Sequence, residues 1–185
     1  MKAKHLIATI LLCAGFTSCG EDPVPKPRAM LRLEYPDQAY RAMESDCPFT
    51  FDYNQQAVPE LKGGCNMVLD YKGMKGSVFI TYKPVAGNLR KLLSDAQKLS
   101  YEHVVKADNI LEQPYVNQKD RVFGMFYQVK GDAASQSQFY VTDSLNHFVT
   151  GSLYFYAKPN YDSIFPAAVY LQKDIRRIME TLRWQ

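Results

Sequence analysis

Thr142, Asp143, Ser144 and His147 bring two hydroxyls, a carboxylate and an imidazole into one stretch of six residues. These are the groups of a nucleophilic hydrolase. Such a site needs the base within hydrogen-bond reach of the hydroxyl and a third group to orient the base. Neighbours in a tight turn rarely meet that geometry, and no GxSxG elbow supplies a strained, exposed serine with oxyanion donors. Asp and Ser are also turn formers, because their side chains bond to nearby backbone amides. The stretch therefore reads as a hydrogen-bonded turn. His103 falls on or beside an apolar helical stripe and reads as a core histidine. His103 and His147 lack an obvious carboxylate partner for a metal, and no CxxC or HxxxH spacing supplies zinc ligands. No GxGxxG or phosphate-cradling loop is present. No catalytic residue, metal or cofactor is expected, and the chain reads as a non-enzyme. Asn160, Tyr161, Asp162 and Ser163, after Pro159, form either a turn and helix entry or an exposed recognition loop beside Tyr154, Tyr156 and Phe165.

The cysteines point to a location. Lys2 and Lys4 precede an apolar run from Leu6 to Leu12, and small and polar residues lead through Phe16, Thr17 and Ser18 to Cys19. Charged, apolar and small regions in that order make a secretory signal. The run is too short to span a bilayer, which takes roughly 20 residues. Residues 1–18 are expected to be removed, leaving Cys19 as a lipidated N-terminus carrying acyl chains such as palmitate. Cys13 is the poorer candidate, because apolar residues continue beyond it. Gly20 stands where an Asp would retain many lipoproteins in the inner membrane, so the outer membrane is the expected address. Cys47 and Cys65 remain, in a compartment where disulfides persist. A bridge between them is the favoured reading, over two buried thiols or a metal site.

Removing residues 1–18 takes away two of the 22 basic side chains and none of the 19 acidic ones, leaving 20 − 19 = +1. With no dense Lys/Arg run, a nucleic-acid partner has no electrostatic footprint. Prolines at 23, 25 and 27 favour an extended polyproline tether over residues 19–29. Residues 30–185 are enough for one domain and not clearly for two.

Alternation of apolar and polar residues predicts strands from Met30 to Tyr35, ended by Pro36, and over Phe49–Tyr53, before a polar, irregular stretch up to Gly64. Asn66–Tyr71 and Ser77–Tyr82 are expected to form an antiparallel hairpin, because the link between them is too short for a parallel crossover. Leu89, Leu92, Leu93, Ala96, Leu99, His103, Ala107 and Ile110 recur at helical steps. That helix is capped by Asn88, with Pro114 beyond its end. A meander of Val122–Lys130, Gln136–Thr142 and Phe148–Tyr156 follows, its last strand apolar enough on both faces to be central. A final helix starts near Pro166, which suits a first turn, and Trp184 is expected to pack the chain end on the sheet. The fold class is α+β, a mainly antiparallel sheet packed by helices. In element order it is similar to the Mog1/PsbP type of α/β/α sandwich, which carries no function.

Several segments resemble the gliding motility lipoprotein GldD family of the Bacteroidota. They are Pro25–Arg28, Cys47-Pro48-Phe49, Cys65-Asn66, Tyr101–Ala107, Ser137–Ser144, His147-Phe148, Gly151–Phe155, Pro159–Ser163 and Asp174–Thr181. Thr150 departs from the basic residue that precedes this glycine in relatives. The resemblance implies a cell-envelope component of gliding motility and the linked type IX secretion system, whose partners are other envelope proteins and, through the lipid, the membrane. It carries over no catalytic residue. Thr142, Asp143, Ser144, His147, Asn160, Tyr161 and Asp162 are the expected partner-binding positions. A module binding a lipid or glycan fragment between sheet and helix is the alternative.

Overall fold

The computed structural model describes residues 34–102, 107–156 and 161–185. Residues 1–18, Cys19, the proline-rich stretch, Leu31, Leu33, His103 and Asn160 lie outside them. Seven strands form one antiparallel sheet in the order β4-β5-β6-β10-β9-β8-β7. They are β4 (Val58–Lys62), β5 (Asn66–Tyr71), β6 (Gly76–Pro84), β7 (Ala107–Asn117), β8 (Val122–Gly131), β9 (Ser137–Thr142) and β10 (His147–Phe155). β10 is the middle strand, as its two apolar faces predict. Short strands β1 (Tyr40–Ala42) and β3 (Asp52–Asn54) pair with each other, and β2 (Phe49–Thr50) pairs with β11 (Arg183–Trp184) at the chain end.

The two α-helices among the described residues take opposite faces. Side chains alternate along a strand, so Phe148, Tyr140 and Tyr127 face one way and pack with Leu89, Leu92, Leu93 and Ala96 of α1 (Leu89–Tyr101). Val149, Leu153, Phe139, Val141 and Phe126 face the other way, toward Leu171, Ile175, Ile178, Met179 and Leu182. All of these but Leu182 on the helical side belong to α2 (Tyr161–Thr181). The second layer is the larger core, and it also takes in Phe49, Phe51 and Tyr53. Two glycines let β8 and β10 lie close against β9. A Cβ on Gly124 would lie 1.9 Å from the Tyr140 carbonyl oxygen, and one on Gly151 would lie 2.1 Å from the Phe139 ring.

Several expectations are corrected. The first helix ends at Tyr101, and Ala107 and Ile110 stand in an edge strand whose pairing with β8 overrides the helical spacing. Pro114 sits within that strand, tolerated because an edge leaves one row of N–H groups unused. Asn88 is the N-cap residue, but its Oδ1 accepts from the Ala86 N–H (2.9 Å) rather than capping the helix. The last helix begins at Tyr161, so Pro166 lies in its second turn. There the missing N–H removes only the helical bond to the Asp162 carbonyl, and Asp162 in the first turn complements the helix dipole. Glu34 and Tyr35 have no regular structure, and β4 lies within the stretch read as irregular. Cys47 and Cys65 are joined by a disulfide with their Cα atoms 5.6 Å apart.

Candidate functional site

The β9–β10 turn owes its shape to Asp143. Its Oδ1 accepts from the backbone N–H groups of Leu145 (3.0 Å), Asn146 (2.8 Å) and His147 (2.8 Å). Burial raises the carboxyl's pKa, but those three donors and the His147 imidazole outweigh it, so the group lies below its ordinary value. The Thr142 hydroxyl donates to the His147 carbonyl (2.7 Å) and accepts from the Ser144 N–H (2.9 Å). Ser144 is left exposed in the left-handed region, at φ 69°.

His147 does not serve Ser144. Its Nδ1 lies 3.0 Å from the Tyr82 hydroxyl, and its ring stacks on Trp184 with centroids 5.2 Å apart and planes at 18°. Burial, and then the Asp143 charge, raises the Tyr82 pKa. The four predicted turn residues are therefore together, as a rigid hydrogen-bonded turn.

That turn forms one wall of a cleft of about 430 Å³ lined by Lys119, Asp120, Arg121, Asp143, Leu145, Asn146, His147, Arg183 and Trp184. The β7–β8 turn supplies the opposite wall. Asn117 accepts from the Asp120 N–H (3.1 Å) and donates to the Asp120 carboxylate (2.8 Å), and Arg121 turns the chain at φ 54°. The chain end closes the cleft: Trp184 Nε1 donates to the Arg121 carbonyl (3.0 Å), and Arg183 pairs with Asp120 (2.9 Å). Two of the four non-glycine residues with positive φ among those described, Arg121 and Ser144, stand in the two turns that wall the cleft. Strain of that kind persists where surrounding structure over-determines it, and it gathers at functional sites.

Tyr161 and Asp162 lie elsewhere. β10 leads from His147 to Phe155, and α2 starts only beyond its far end. Eight steps of strand separate the two positions by roughly 26 Å. Tyr161 and Asp162 belong to a helical first turn, so the two predicted binding regions are not brought into one site.

The sequence reading missed Lys119, Asp120, Arg121 and Arg183. The Asn-Gln-Lys-Asp run from Asn117 carries turn chemistry that could have marked the second wall. It also missed the role of Asp174, wholly buried on α2. This carboxylate accepts from Gln38 Nε2 (2.8 Å), Tyr40 Oη (2.8 Å) and Asn54 Nδ2 (2.9 Å). Burial outweighs these donors and raises its pKa. Tyr71 is raised in turn by burial and by the Asp174 charge, although its buried hydroxyl has no well-formed hydrogen bond.

A smaller groove of about 190 Å³ lies between α1 and the sheet, lined by Thr81, Lys83, Leu92, Asp95, Ala96, Leu99, Phe148 and Thr150. Among the described residues, no cluster of His, Cys, Asp and Glu has the geometry of a metal site, and no helix is long and apolar enough to cross a membrane. No curated protein matches the chain. The family described as gliding motility lipoprotein GldD matches residues 20–184, which spans every described element, and the chain belongs to that family.

Proposed function

We propose that this chain is a non-enzymatic, lipid-anchored component of the cell envelope that works through protein contacts in gliding motility and the linked type IX secretion machinery. Family membership supports the setting. The lipid on Cys19, the outer-membrane address and the link to secretion rest on the N-terminal sequence and on the resemblance. The observation that carries the contact role is the cleft: two rigid turns and the chain end hold Leu145, 58% exposed, beside Trp184 on a fixed frame. Binding hot spots are rich in tryptophan and arginine, and Trp184, Arg121 and Arg183 all line this cleft. Hydrolysis is the weaker reading, because the His147 ring is held by Tyr82 and Trp184. A lipid or glycan fragment held between sheet and helix is also weaker, since the groove under α1 is smaller than the ~300 Å³ at which ligand pockets begin.

The test is Leu145→Asp in the source cell, on a chain that keeps Cys19. Loss of secretion, or of surface spreading where the cell glides, with an unchanged unfolding midpoint is the expected result. Normal secretion and spreading from a folded Leu145→Asp chain would remove the cleft from the function.

A further inference from the structure

The charges in the cleft are not equivalent. The Asp120 carboxylate is held by Arg183 and Asn117, and Oδ1 of Asp143 takes three backbone N–H groups of its own turn. Arg183 is committed to Asp120, and also donates to the Leu182 carbonyl (2.8 Å). Lys119 and Arg121 remain. Both are exposed, neither forms an ion pair among the described residues, and Arg121 makes only a long contact (3.5 Å) to the Asp143 carbonyl. Lys119, Arg121 and Arg183 outnumber Asp120 and Asp143, so the surplus charge of the cleft is cationic, beside the exposed Leu145 and the ring of Trp184.

We propose that the cleft binds an acidic, partly apolar peptide segment of its partner, with Lys119 and Arg121 taking carboxylates while Leu145 and Trp184 take an apolar side chain. The proposal rests on the docking role and names the chemistry of what docks. A phosphate group fits less well. Phosphate sites use converging backbone N–H groups, and here the amides of residues 145–147 are already filled by Asp143. Opposite charge across the contact would speed encounter and exclude basic segments.

The chain carries its own reporter, because Trp184 is the only tryptophan. The full chain in detergent would be titrated with hexaglutamate, hexalysine, a neutral Ser-Gly hexapeptide and inorganic phosphate, following Trp184 emission. Hexaglutamate should give a saturable change that weakens as salt is added. Lys119→Glu with Arg121→Glu should weaken it by about tenfold or more and create a response to hexalysine. Equal responses to the acidic and neutral peptides, no response to either, or a response to hexaglutamate that survives the charge reversal would overturn the proposal. Saturation by phosphate at the same concentrations would also overturn it, by assigning the cleft to phosphate groups. Both substitutions are at exposed turn positions, and the unfolding midpoint checks that the variant is folded. If peptides fail here while Leu145→Asp still abolishes secretion, docking stands and only the acidic chemistry falls.

Discussion

Asp143 and Asp174 are both buried carboxylates held by hydrogen bonds, and their surroundings push them in opposite directions. Asp143 is lowered from 3.8, so its contribution to stability is present above that value and lost as pH falls through the folded-state pKa. Asp174 is raised from 3.8, so its contribution is fully present below that value and diminishes as pH rises through the folded-state pKa. The stability difference between the parent chain and Asp143→Ala should therefore shrink on acidification from neutral pH. The corresponding difference for Asp174→Ala should shrink as pH rises from about 4. Near neutrality each alanine should still cost about 1–3 kcal/mol, because buried donors lose their acceptor. Urea unfolding of both variants between about pH 3 and 7 checks the signs. At this scale sequence gave half the picture. Asp143 was legible because turn chemistry is local. The partners of Asp174 were not, because Gln38, Tyr40 and Asn54 meet it across 120 or more positions of chain.

Among the elements, alternation and short links were reliable wherever pairing is local. The β5–β6 hairpin, the β8–β9–β10 meander and the central place of β10 all stand as predicted. Residues after Tyr101 kept a helical spacing, yet β8 offered an open edge, and strand pairing decided the outcome. β11 was invisible for the same reason, being two residues defined only by their partner β2. Gly124 and Gly151 show how closely β8 and β10 approach β9. Gly124→Ala would drive a methyl into the Tyr140 carbonyl, which cannot retreat without breaking the β8–β9 register, so the chain should lose its cooperative unfolding transition or show a sharply lowered midpoint. An unchanged melting curve for Gly124→Ala would contradict that packing. The bridge between Cys47 and Cys65 spans 18 positions. Replacing both by Ser should cost about 3 kcal/mol in the chain-entropy account, read as a lower urea midpoint than the oxidised parent.

For the whole molecule, the cleft is assembled from turns after β7 and β9 and from the chain end, which α2 carries back along the sheet. Such a site cannot be read from spacing, since its walls lie between 143 − 121 = 22 and 184 − 119 = 65 positions apart in sequence. The opposite end of β10 holds the entry to α2, so substitutions at Tyr161 and Asp162 are expected to act independently of the cleft. The proposed docking role makes this cleft the place where the lipoprotein meets its envelope partners. Site-specific photo-crosslinking in intact envelopes tests it most directly, with the probe at Leu145 in one chain and at Leu111, exposed on the edge strand β7, in another. A discrete crosslinked motility or secretion protein is expected from position 145, absent from position 111 and lost with Lys119→Glu and Arg121→Glu. The same products from both positions, or none from position 145 while position 111 captures a partner, would contradict it.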